Sequence, residues 1–245
     1  METKTSRASN TKWWVLSGLF FLVFLGLCWI VKEGRTQDWD WSVSLWVFDH
    51  RSAGLSTLME TITYAGNTAS IITVILLLLA FEKTRWRMGL PIFCTALLTN
   101  ACKTVVKGIM ERPRPDETYR LIAESGYSFP SGHAITSVAV YFLIGYLLWY
   151  YYKKEGDRAP MAGSPVRIVI MAASFFLAVA VGLSRVYVGV HFLTDVFGGW
   201  AFGLAAACLA VFIIRKTDWP GPIERRLGIM EANNEGPDMN QGGTL

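Results

Sequence analysis

The sequence predicts an all-α, polytopic membrane protein with six transmembrane helices in one bundle. Three observations carry that reading. Hydrophobic residues make up 52% of the 245, charged residues only 17%, and the mean hydropathy is +0.34. These values lie on the membrane side of an ordinary soluble domain. Six windows, 13–31, 61–81, 88–106, 134–152, 168–184 and 196–214, approach the roughly 20 apolar residues that cross a bilayer. Finally, Lys and Arg are unevenly shared among the intervening loops, as topology requires.

Each element can be justified in turn. Lys4, Arg7 and Lys12 precede the first window, as they would a secretory signal. That window is long for a signal core, and Lys-Glu-Gly-Arg follows where small residues would mark cleavage, so it reads as a retained helix. Residues 35–56 carry Trp39, Trp41 and Trp46 among polar side chains, which suits an interfacial segment on the outer surface. The third window is interrupted by Lys103, and Pro91 near its start is tolerated in a first turn. The fourth opens on Pro130-Ser131-Gly132-His133, a turn and a titratable ring at the mouth of an apolar run. The fifth and sixth are bridged by SRVYVGVHFLTD, residues 184–195.

From Thr217 onward the chain is rich in Pro, Gly, Asn and acidic residues. The expected organisation is therefore a cytoplasmic N-terminus over 1–12, one membrane domain over 13–215, and a largely disordered cytoplasmic tail over 216–245. With both termini inside, inner segments hold fourteen of the 23 basic residues and outer segments eight, Lys103 lying within a helix. The positive-inside rule thus puts both termini in the cytoplasm, and the compact chain with its simple tail suggests a plasma-membrane protein. The net charge of +4 is mostly topology and calls for no nucleic-acid partner. Cys28, Cys94, Cys102 and Cys208 all fall inside apolar windows, with neither a disulfide frame nor metal-ligand spacing.

Three stretches resist explanation as lipid-facing or core helix: residues 107–115, 130–133 and 184–195. The topology brings all three to the outer helix ends, where one pocket can gather them. Lys107, Arg114 and Arg185 are cations suited to the several oxygens of a phosphate. Ser131 supplies a hydroxyl, and Gly132 lets backbone N–H groups at a helix start approach an anion closely. His133 and His191 titrate near neutrality. Asp195, four residues after His191, shares its face if the sixth helix starts there, and a carboxylate beside an imidazole orients it.

Taken singly, each piece has a plainer explanation. Basic residues at helix ends are usually snorkelling anchors, and Lys103, Arg112 and Arg120 read that way. His50 reads as an interfacial side chain, and a Pro-Ser-Gly before a helix is commonly a turn with a cap. Convergence is what defeats the plain reading. Two of the three histidines and three cations fall on one face, each beside turn chemistry.

In order, these residues resemble the three-part signature of the type 2 phosphatidic acid phosphatase superfamily. Lys107, six residues, then Arg114-Pro115 matches its first motif, and Pro130 to His133 its second. Ser184-Arg185, five residues, His191, three residues, then Asp195 matches the third. All eleven specified positions agree, within a resemblance spanning roughly 13–215. Residues 55–67 also resemble what such proteins carry into their second helix.

The resemblance implies a membrane lipid phosphate phosphatase. His191 would be the nucleophile, forming a phosphohistidine, with Asp195 orienting its ring. His133 would be the general acid and then the base, while Lys107, Arg114, Ser131, Gly132 and Arg185 hold the phosphoryl oxygens. No metal or cofactor is implied, because three cations supply the positive field. Bacterial members act on phosphatidylglycerophosphate, undecaprenyl diphosphate or phosphatidic acid, and nothing in the motifs selects among them. Two rival readings remain: a vanadate-type haloperoxidase relative, and a lipid-phosphate or anion transporter using the same charges. A transporter would place its polar residues near the bilayer midplane rather than at helix ends.

Overall fold

The computed structural model describes residues 4–155, 166–221 and 223. The tail expected over 216–245 lies almost wholly outside the described residues. Ten α-helices follow one another, and no strand occurs among the described residues. They are α1 (Lys4–Lys32), α2 (Gln37–Asp49), α3 (Ala53–Ala65), α4 (Thr68–Ala80), α5 (Glu82–Thr84), α6 (Leu90–Met110), α7 (Gly132–Ser137), α8 (Leu143–Glu155), α9 (Val166–Tyr187) and α10 (Leu193–Lys216).

Five described segments are long and apolar enough to cross a membrane, and the bent pair α3–α4 makes a sixth. The window expected over 61–81 captured only part of this last span, which begins at Ala53 and turns by 47° near Gly66. The reason for the break is local. Asn67 is an extended N-cap, and a Cβ added to Gly66 would lie 2.4 Å from Val181 Cγ1 of α9. The close approach requires glycine there. Pro91 does sit in the first turn of α6, after a π-helical turn over Arg85–Gly89.

The span Gly132–Tyr151, comprising α7, a π turn (Val138–Phe142) and most of α8, is the bundle's centre: 67% of its apolar window is buried. Its Val140, Leu143 and Leu147 share one buried cluster with Ile92 of α6 and with Ala207 and Val211 of α10. α1 lies along α10, joined by Phe24 against Phe202 at 4.9 Å and by the Ser17 hydroxyl donating to Ala205 O at 2.8 Å. Large apolar side chains such as Leu22, Leu76, Leu98, Val105, Val169 and Phe176 are exposed on the spans, the surface a bilayer covers.

The small residues of α10 decide how closely the motif helix approaches. A Cβ on Gly199 would meet Ser131 O at 2.8 Å, and one on Gly203 would meet Ile135 O at 2.7 Å. This backbone-to-backbone contact carries the Pro-Ser-Gly-His turn against the start of α10, where Ser131 N–H donates to Asp195 O at 3.0 Å. The fold therefore joins the second and third motifs through main chain before any side chain is considered.

Candidate active site

The end of α6, the loop to α7, the start of α7, the end of α9 and the start of α10 meet at one end of the bundle. All eight expected site residues lie there. Lys107 sits in the last turn of α6, which ends at Glu111 in the left-handed conformation with its N–H on Lys107 O. Its ammonium donates to Tyr127 O in the loop. The neighbouring loop arginine, Arg114, is almost fully tied down by carbonyls. Nε donates to Gly126 O at 2.9 Å, Nη2 to Ser125 O at 3.0 Å, and Nη1 to Val190 O at 2.8 Å.

Arg185, near the end of α9, is 1% exposed. Its guanidinium donates to Thr63 Oγ1 at 2.9 Å and to the Glu124 carboxylate, which also lies 3.7 Å from Arg114. Its Nε has no hydrogen-bond partner although it is buried. A buried donor left open beside two other cations suits an anionic oxygen. Ser131 is buried as the N-cap of α7, its hydroxyl accepting from Ala134 N at 3.5 Å. Gly132 opens the helix, and a Cβ there would meet Lys103 Cδ at 3.1 Å. His133 follows, against Gly66, with Arg185, His191, Lys103 and Arg114 as its electrostatic neighbours.

His191 does not share a helix face with Asp195, contrary to the expectation, because α10 starts only at Leu193. The loop still brings the pair together: His191 Nδ1 lies 3.4 Å from Asp195 Oδ2. On the other side of the ring, Arg114 Nη1 lies 3.1 Å from Nε2. Arginine can only donate, so Nε2 is the acceptor and Nδ1 carries the proton towards Asp195. Burial, then the charges of Arg114, Arg185 and Lys107, push His191 well below the usual 6.5. The ring is neutral at pH 7, and its Nε2 lone pair, which accepts from Arg114, faces the cationic side of the pocket. That is the form of imidazole that attacks an electrophile.

Three helix-end cations read as snorkelling anchors are something else. Arg112 has a side chain only 10% exposed and bridges two carboxylates, with Nη1 2.6 Å from Asp195 Oδ1 and Nη2 2.7 Å from Asp40 Oδ2. Lys103 bonds Asn100 Oδ1 at 2.6 Å and lies over Gly132, facing inward along the span. Arg120 stitches the loop, donating to Pro115 O at 2.9 and 2.7 Å. Arg112 is held by carboxylates of α2 and α10, Arg120 by carbonyls of its own loop, and Lys103 by Asn100 of its own helix. His50 does stay apart, its ring stacked on Trp46 at 4.5 Å.

The segment 35–56 also does more than lie at an interface. Trp39 and Trp46 are exposed on α2, but its opposite side carries the fully buried Asp40 to the start of α10. Asp40, Glu124, Thr63, Thr194 and Lys103 are the site neighbours that sequence reasoning missed. Only the doubled Arg-Pro of 112–115 offered a signal, since an arginine inside the first motif, two positions before Arg114, is hard to explain as a lipid anchor.

Comparison with known proteins points to one family. The sequence profile of the PAP2 superfamily matches residues 88–219. Phosphatidylglycerophosphatase B of Bacillus subtilis is 34% identical over 81% of this chain and 92% of its own. Undecaprenyl-diphosphatase of Sulfolobus acidocaldarius is 29% identical over 90% of this chain and 98% of its own. The crystal structure of the transmembrane PAP2 type phosphatidylglycerolphosphate phosphatase from Bacillus subtilis superposes with a TM-score of 0.72. It is 30% identical and covers 82% of this chain and 96% of its own. With an all-helical bundle of that shape and phosphatases among its relatives, the chain belongs to the PAP2 superfamily and is a membrane-located lipid phosphate phosphatase.

Proposed function

We propose that the chain hydrolyses a phosphomonoester or diphosphate of a membrane lipid through a phosphohistidine on His191. The observation that carries this reading is the state of the His191 ring: buried, neutral, Nδ1–H towards Asp195 and Nε2 facing a cluster of cations, where Arg114 donates to it until phosphate oxygens take that donor over. In the first step the Nε2 lone pair attacks phosphorus and the bond from phosphorus to the lipid oxygen breaks. Protonated His133 gives its proton to that oxygen, releasing the lipid alcohol or lipid monophosphate. In the second, His133 takes a proton from water, whose oxygen attacks phosphorus and displaces Nε2. Inorganic phosphate leaves and both rings return to their starting forms.

The two rings begin in different protonation states, that of His191 set by its surroundings and that of His133 by the bound phosphate. His191 has a carboxylate on its Nδ1 side, so the positive charge that its ring takes up on phosphorylation is balanced there. His133 faces cations, so the incoming phosphate is the group that favours its protonated form. Lys107, Arg114 and Arg185 hold the phosphoryl oxygens and offset the charge of the transition state. Gly132 and the capped start of α7 add backbone donors, with Ser131 keeping that turn in place. The substrates in the relatives' names, phosphatidylglycerophosphate and undecaprenyl diphosphate, are the first candidates here. The distribution of Lys and Arg supports cytoplasmic termini and an active site on the outer face of the plasma membrane.

The test is direct. Purified protein in detergent, given labelled phosphatidic acid, phosphatidylglycerophosphate or undecaprenyl diphosphate and quenched with base, should retain an acid-labile label. Activity should survive EDTA and be inhibited by vanadate. Turnover with no trapped label, or activity restored only by magnesium, would overturn the reading.

A further inference from the structure

The nucleophile's carboxylate has a neutraliser, and the neutraliser has one of its own. Asp195 is fully buried. Its Oδ2 accepts from Phe192 N at 2.8 Å and faces His191 Nδ1, while Oδ1 accepts from Arg112 at 2.6 Å. The Arg112 cation next to it would cancel the charge that Asp195 is to present to the imidazole. Asp40, also fully buried, lies on the far side of Arg112. Its Oδ2 accepts from Arg112 at 2.7 Å and from Thr194 Oγ1 at 2.5 Å, and Oδ1 accepts from Thr194 N at 3.0 Å. The Thr194 hydroxyl in turn accepts from Arg112 Nη1 at 2.8 Å.

Three charged side chains from α2, the α6–α7 loop and α10 are thus locked together out of solvent, and their sum is one negative charge. Burying such a set is costly unless geometry and hydrogen bonding repay it, and here both oxygens of Asp40 and of Asp195 accept hydrogen bonds or face the imidazole. Nothing about the packing of α2 alone asks for it, since an apolar trio would hold the same elements together at least as well. Across the ring, Lys107, Arg114 and Arg185 all oppose the positive charge that the imidazole takes up when Nε2 bonds to phosphorus. A neutral Asp195–Arg112 pair could offset little of that.

We propose that Asp40 and Arg112 are positioning residues for His191, resting on its reading as the nucleophile. Arg112 clamps the Asp195 carboxylate at the angle that holds Nδ1–H. Asp40 returns to the group the charge that Arg112 removes, so the ring faces one net negative charge through a rigid carboxylate.

Charge, rather than the contacts themselves, is what a paired substitution tests. Asp40→Asn, Arg112→Gln and the double variant are purified in detergent, with thermal melting as the check of folding. Phosphate release from phosphatidic acid micelles gives kcat and KM separately. Asp40→Asn should lower kcat by about 10- to 100-fold, the worth of a charged hydrogen bond, with KM within about twofold. The double variant restores the net negative charge and should recover about tenfold in kcat over Asp40→Asn. A purely structural role predicts the reverse, a double variant no better than the worse single one. Wild-type kcat in Asp40→Asn, or a folded double variant as slow as Asp40→Asn, overturns the proposal. If Asp40→Asn does not fold, the double variant stands alone: wild-type KM with kcat within about tenfold supports the proposal, and folded protein without turnover refutes it. The nucleophile reading fails separately, through labelled phosphate trapped on His191→Ala.

Discussion

The two ends of the bundle carry the same residue types and use them differently. At the end opposite the motifs, Arg85 donates to Leu79 O at 2.8 Å, closing the C-terminus of its own neighbouring helix. Arg215 reaches Asn10 Oδ1 at 2.9 Å and the Tyr146 hydroxyl at 3.2 Å, and Lys216 lies over the Phe212 ring at 5.6 Å. Trp219 and Tyr151 tie the end of α10 to α8 and to Trp86. These are interfacial contacts, with cations and aromatic rings meeting carbonyls, amides and one another. At the motif end, the side chains of Arg112, Arg114 and Arg185 are 10%, 4% and 1% exposed and each lies beside a carboxylate. An arginine is an anchor or part of a site according to what the tertiary fold sets around it, and the residue type alone does not say which.

Substitutions at the two ends should therefore differ most at His191, the proposed nucleophile. His191→Ala should lose at least about 10⁴-fold in kcat on any phosphate ester and trap no acid-labile label, since no substrate bypasses a missing nucleophile. Residual single-turnover labelling in that variant would break the comparison at its centre. His133→Ala should cost about 10²–10⁴-fold on a lipid alcohol leaving group. In burst measurements that deficit should shrink with nitrophenyl phosphate, whose leaving group departs without a proton. An equal deficit on both substrates would assign His133 a different role.

Arg114 sharpens the comparison through pH. Arg114→Met should lose about 10²–10³-fold in kcat/KM, the range seen when one transition-state donor is removed. It also removes a cation that holds the His191 proton off. The imidazole's pKa then rises towards 6.5, so protonation inactivates the nucleophile at higher pH and the acid limb of kcat/KM moves up relative to wild type. Measuring both proteins on one substrate cancels that substrate's own titration. An unmoved or lowered acid limb would remove Arg114 from the set that tunes His191. At the other end, Arg85→Ala should change kcat/KM by no more than about threefold, the scale of an exposed anchor. A loss comparable with that of Arg114→Met would show that the two ends are not functionally separate.

The orientation of the ends has its own check. Cysteines introduced at Thr118, exposed in the α6–α7 loop, and at Thr84, in α5, should label oppositely with an impermeant thiol reagent in a background without native cysteines. Thr118→Cys should react in intact cells and Thr84→Cys only after permeabilisation. The reverse pattern would place the phosphatase reaction on the cytoplasmic side.

Much of this molecule was legible in its sequence because hydropathy and short-range spacing are local properties. Apolar length alone determined the class of fold and located five of the spans, as a bilayer admits few ways to satisfy a backbone. The motif residues were legible because chemistry that handles phosphate needs cations, a helix start and imidazoles, and few other tasks put all of them together. What only the tertiary structure decided was pairing. Asp40 stands among tryptophans 72 residues before Arg112, and no periodicity connects them. Glycines 199 and 203 look like any small residues of a membrane helix until α7 is seen resting its backbone against them. The bend at Gly66 likewise depends on Val181, more than a hundred residues away. Such contacts arise from which helix lies beside which, a long-range outcome of packing that no local pattern encodes, and they turn a list of motif residues into an oriented pair of imidazoles beside a cluster of cations.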